Sequence, residues 1–233
     1  RQGVLTFQAG ADDNLRPATT VAPVLEQLLV VEGGATRDQT VRNLRFVGLT
    51  FAHATAPRFA PGYAGIQAGF HEQRAGGSST GMRGRMPAAV VFRSAQGCSL
   101  EECRVLHVGG TAVSLEGCSR DNHVIRNEIT DAGGNGIMIG EPTAEETNAA
   151  SNNLVANNRI HRCGVSFYGC VGIWVGITRG TTIAHNEIHN LPYSGVSIGW
   201  VWNPTPSPCR DNRIERNHIH HVMQKRQDGG GVY

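Results

Sequence analysis

Asp228 stands in the run Gln227-Asp-Gly-Gly-Gly-Val-Tyr233, where three glycines leave the backbone unshielded and let a ligand approach the carboxylate closely. A carboxylate so placed can pass a proton or attack an electrophilic carbon. By spacing alone it equally suits an Asp that ends a turn. Glu141, directly after Gly136-Ile-Met-Ile-Gly140, is the best second acid in view, with a solvated loop carboxylate as its ordinary alternative.

Aromatic and imidazole side chains form the other candidates. Alternation from Gly172 puts Ile173 and Val175 inside and Trp174 outside, and the same register puts Tyr233 outside two coils later. Trp200 and Trp202 sit where an insertion leaves the repeat, and Tyr193 lies in Leu191-Pro-Tyr-Ser-Gly195. An exposed Trp or Tyr offers a flat apolar face with a polar edge, suited to stacking on a sugar ring, unless the insertions cover it as a satellite core. His161, His189 and His220 share one column, three residues after successive asparagines. Stacked imidazoles are good nitrogen ligands, but no carboxylate or thiolate shares their column. No metal or cofactor is therefore expected, and the histidines read as the lining of a polar groove or as strand ends.

The elements that must position these groups repeat. Asn122-His-Val-Ile-Arg-Asn-Glu-Ile129 recurs as Asn153–Ile160, Thr181–Ile188 and Asn212–Ile219, with a weaker copy at Cys98–Val105. A second apolar segment starts at Ala89, Ala112, Gly136, Gly172, Gly195 and Gly231, hence after 23, 24, 36, 23 and 36 residues. A core of about two dozen residues with occasional insertions describes a solenoid coil carrying loops. The expectation is an all-β, right-handed parallel β-helix with two short strands per cycle. Asn127, Asn158, Asn186 and Asn217 form an internal amide ladder, and Cys103 takes that position one coil earlier. Outside it Glu128, Arg159, Glu187 and His218 form a solvated charge ladder. Residues 1–40 read as early coils and 41–233 as clear coils of the same domain. Ala52–Met86 is a long insertion, and the loops after Glu141 and after Trp200 leave from one strand end and would wall a cleft.

Composition narrows the function classes. The 21 basic and 19 acidic side chains supply no basic stripe for nucleic acid, and no run of about 18 apolar residues could span a membrane. The chain opens at Arg1 and stops inside an apolar run, so it reads as an internal piece of a longer protein whose leader would be missing. The six cysteines form no CxxC pair; Cys163 and Cys170 are a close pair that could form a disulfide, and buried free thiols are the alternative.

On Gly134-Asn-Gly-Ile-Met-Ile-Gly-Glu141, Gly169–Gly176, Leu191–Trp200, Gly62–Gly69 and Asp228–Tyr233 the chain resembles glycoside hydrolase family 141 and its β-helix relatives, from about Val21 onward. The resemblance implies hydrolysis of a glycosidic bond by two carboxylates, on xylan or fucose-bearing pectin, by an extracellular or periplasmic monomer. Asp228 matches one family acid, and the second would lie beyond Tyr233. A polysaccharide lyase or epimerase on uronate polymers, or a non-catalytic sugar-binding β-helix, is the alternative.

Overall fold

A computed structural model of the chain describes residues 21–58, 63, 65–73, 83–143, 147–200 and 204–233, with only the backbone of 71–73 and 83–84. Three parallel six-stranded sheets wrap one core. The first holds Leu29–Glu32, Ala88–Arg93, Thr111–Glu116, Ile137–Ile139, Ile173–Val175 and Val196–Ile198. The second holds Arg45–Val47, Ser99–Glu101, His123–Ile125, Leu154–Ala156, Thr182–Ala184 and Arg213–Glu215. The third holds Thr50–Ala54, Arg104–Val108, Glu128–Ala132, Arg159–Cys163, Glu187–His189 and His218–His220. Each coil thus has three strands rather than two, because the longer repeated segment bends at its internal Asn into strands of the second and third sheets. Residues 1–20 lie outside the described residues; from Leu29 the early strands join the same three sheets.

The pairing follows the spacing of the apolar segments. Val90 pairs Val113, which pairs Ile137, then Ile173 and Val196 in turn, and Val196 bridges Val232. Inward positions stack by type: Leu100, Val124, Val155 and Ile183 on the second sheet, Val105, Ile129, Ile160 and Ile188 on the third. Each such side chain contributes roughly 1.5–3 kcal/mol when fully withdrawn from water.

Amides tie the corners. Asn127 donates from Nδ2 to Asn158 Oδ1 (3.0 Å), Asn158 to Asn186 (2.9 Å) and Asn186 to Asn217 (2.9 Å). Each also donates to a carbonyl of the second sheet, Asn186 to that of Val155 at 3.0 Å. A second ladder, unread in the sequence, runs at the preceding corner, where Asn122 donates to Asn153 Oδ1 at 3.0 Å. Cys98 and Cys103 end the two ladders, their sulfurs accepting from the amides of Leu44 and Leu49 (3.4 Å each). All six cysteines are free thiols, and burial pushes Cys163 up to about 12.

Glycine is required at the corner between the third and first sheets. A Cβ at Gly172 would lie 2.6 Å from the Gly195 carbonyl, so any side chain would force successive coils apart. The long insertion leaves at this corner, and strands His71–Gln73 and Arg83–Arg85 pair antiparallel within it. Phe70 and Met86 from the insertion, with Phe167, cover Met138 and Trp174 on the outer face of the first sheet.

Candidate functional site

Loops at the third-to-first corner enclose a pocket of about 190 Å³ lined by Gly65, Gln67, Gly169, Tyr193, Arg226, Gln227 and Asp228. Asp228 adopts a left-handed backbone (φ 60°), which Asp tolerates better than most residues, and it is exposed. Its carbonyl accepts the Tyr193 hydroxyl, which in turn accepts from Gln67 Nε2 at 2.7 Å. Those two bonds join three coils' worth of chain at one point. Burial pushes the Tyr193 phenol above its ordinary range, so it works as a neutral hydrogen-bonding group. Gly229 has a packing reason: a Cβ there would meet Ser194 Oγ at 2.5 Å and the Tyr193 ring at 2.9 Å. Gly229 therefore lets the turn press onto Tyr193, with the exposed Asp228 at the rim of the pocket.

Arg226 brings the positive charge to this pocket, its guanidinium packed against Gly65. Beside it the Tyr63 hydroxyl accepts the Gly169 amide at 2.8 Å, and the Tyr63 ring packs on Phe167 (5.0 Å) and Tyr168 (6.4 Å). Tyr168 is 44% exposed and carries Lys225 over its face at 4.9 Å. Gln67, Arg226 and Tyr168 were not singled out from the sequence. The available signal was weak: each lies in a loop of irregular length, outside the alternation that marks strand faces.

Other sequence candidates fall elsewhere. Trp174 does point out of the coil, yet it is fully buried, stacked on Phe70 at 5.0 Å with an 8° interplanar angle. It is core of the covering loops rather than a sugar platform. Trp200 packs half-buried at 5.0 Å from Phe70, Tyr233 is half-buried beside Ser197, and Trp202 lies outside the described residues.

Glu141 is not a partner for Asp228. It receives Arg85 at 2.7 Å and the Gly117 amide at 2.9 Å, which engages both oxygens. The strand register puts it at the far end of the first sheet, about eight residues of extended chain or roughly 25 Å from the corner of Asp228. A catalytic carboxyl pair needs about 5–9.5 Å. Likewise the loops after Glu141 and Trp200 leave at that far corner, so they do not wall this pocket.

His161, His189 and His220 stack on the outer face of the third sheet, with centroids 4.8 Å apart and rings within 5° of parallel. Burial pushes His161 and His189 below the usual imidazole range. None of the three lines the Asp228 pocket.

A family model described as the right handed beta helix region matches residues 88–233, more than half of the chain. The chain belongs to the right-handed β-helix family. A solved structure titled "Glycoside hydrolase" is similar to this β-helix at 29% identity and a TM-score of 0.79, over 91% of this chain. The chain spans 39% of that structure's length. No curated protein matches the chain.

Proposed function

We propose that this β-helix forms part of the sugar-binding cleft of a glycoside hydrolase resembling family 141, with Asp228 as one of two catalytic carboxylates. The observation that carries the reading is the exposed Asp228 at a pocket built by four loops, on a scaffold similar to a glycoside hydrolase structure. Among the described residues lining that pocket Asp228 is the only acid, and the resemblance implies that the second carboxylate belongs to a later coil. Tyr193 and Gln67 hold the turn, Arg226 supplies a donor for sugar hydroxyls, and Tyr168 offers an exposed ring for stacking. The substrate class is a plant cell-wall polysaccharide, xylan or fucose-bearing pectin, and such a polymer is met outside the cytoplasm.

Hydrolysis needs one carboxyl to protonate the leaving oxygen and another to activate water or attack the anomeric carbon. Asp228→Asn in the full-length protein keeps size but removes charge and proton. Its kcat should fall at least about 10²-fold with the melting temperature unchanged. Turnover near the wild-type rate would remove Asp228 from the mechanism.

Arg226 favours one further reading, a lyase on uronates, in which a cation neutralises the sugar carboxylate. An ultraviolet-absorbing unsaturated product would establish that reading, and a reducing end without it the hydrolase.

A further inference from the structure

The outer face of the third sheet carries a second constellation, away from the Asp228 pocket. Parallel pairing sets Glu187 beside His218 and His189 beside His220. His218 and His220 are two residues apart on one strand and so project from the same face, with ring centroids 4.4 Å apart. One donor atom each from Glu187, His218 and His220 lies within 4.8 Å of the others. Glu187 divides its oxygens: Oε2 meets Arg159 at 3.2 Å, while Oε1 faces His220 Nε2 at 3.8 Å, too far for a hydrogen bond. His220 Nε2 is buried without a hydrogen-bond partner, and so is Nε2 of His189, which is only 7% exposed. Buried polar atoms are ordinarily satisfied, so the orphaned His220 nitrogen, like those of His161 and His189, has its bonding capacity unused.

We propose that Glu187, His218 and His220 bind a divalent first-row transition ion of the zinc type. The ligand chemistry selects the metal: two imidazole nitrogens and one carboxylate suit zinc, copper or nickel, whereas calcium and magnesium take oxygen ligands. Zinc–nitrogen bonds of about 2.0–2.1 Å put tetrahedral donors about 3.4 Å apart, so these donors must close by roughly 1 Å. Side-chain rotation supplies that, because His218 is exposed and Glu187 half-exposed on a rigid sheet. His220 Nδ1 lies 2.7 Å from His221 Nδ1. With the shared proton on His220, its Nε2 keeps the lone pair that the ion needs and its ring is held in orientation. The sequence column alone lacked a carboxylate; the neighbouring column provides one through the parallel register. Because Glu187 and the two histidines belong to successive coils, the ion would clamp those coils together. Three protein donors leave a position open for water.

The test is titration of the whole chain, stripped with a chelator, with Zn²⁺ by calorimetry and with Co²⁺ by visible absorption. One ion should bind per chain with a dissociation constant at or below about the micromolar range, and Co²⁺ should give tetrahedral ligand-field bands. His218→Ala, its conservative companion His218→Gln and Glu187→Gln should each weaken binding about tenfold or more. His161→Ala, two coils away in the stacked column, should leave the affinity unchanged. Zn²⁺ should also raise the melting temperature of the wild type but not of His218→Ala. Absence of saturation by about 1 mM Zn²⁺ in folded protein would overturn the site. So would an equal loss in His161→Ala, which would put the ion on the stacked column instead.

Discussion

Trp174 and Arg159 both point outward from strands of the same coil type, yet they meet opposite surroundings. On the first sheet the outward column of Ser114, Met138, Trp174 and Ser197 is buried beneath the loops of the third-to-first corner. On the third sheet the outward column of Glu128, Arg159, Glu187 and His218 stays in water and answers charge with charge, as between Arg104 and Glu128 at 2.8 Å. Alternation tells in from out; it does not tell covered from open. A loop that crosses one face turns surface into core and leaves the other face available for ligands.

The largest expected effect separates these two faces directly. Trp174→Ala opens a cavity under Phe70 and should cost about 3–5 kcal/mol, read as the shift of the denaturant midpoint. Arg159→Ala on the open face should stay within about 1 kcal/mol, since its ion pair with Glu187 is exposed. Comparable losses in the two variants would erase the distinction.

A smaller loss is expected at the corner beneath the open face. Asn186→Leu removes bonds to Val155, Asn158 and Asn217 and leaves buried polar groups unsatisfied, costing about 1–3 kcal/mol. Chemical unfolding at neutral pH measures it, and a variant as stable as wild type would mean that the amide ladder is dispensable.

The smallest effect concerns the second sheet, where Glu101 tests whether its polar outer face behaves like the third. Hydrogen bonds from Arg45 and then Ser99 hold its carboxyl at about 2 against an ordinary 4.5. The folded state therefore binds the proton less readily than the unfolded chain. This contribution is complete above about pH 4.5 and disappears as pH falls toward 2. Arg45 is mostly exposed, so salt should weaken the effect. In melting curves across that window the gap between wild type and Glu101→Gln should narrow as pH falls. A gap independent of pH would mean that the carboxylate carries no linkage.

Much of the scaffold was legible because a coil is a local device repeated. The asparagines at 127, 158, 186 and 217 announced their ladder, and the starts of the apolar segments announced the strand register. The bend that makes three sheets was hidden, since Arg126 and Arg216 adopt left-handed backbones at that corner that nothing in their type demands. Of the candidate site, Asp228 and Tyr193 were visible through their motifs. Gln67 was not, because it meets Tyr193 only across 126 residues of chain.

By itself the sequence determined the coil, its register and which side chains face inward, for these depend on contacts between equivalent positions in adjacent copies. The tertiary structure alone decided which outer face is roofed and which acid stands at a pocket. Phe70 on Trp174 and Arg85 on Glu141 each join different turns of the solenoid. No repeat period encodes such meetings, because they depend on the path of single, unrepeated loops and on side chains that pass one another only once the coils have stacked.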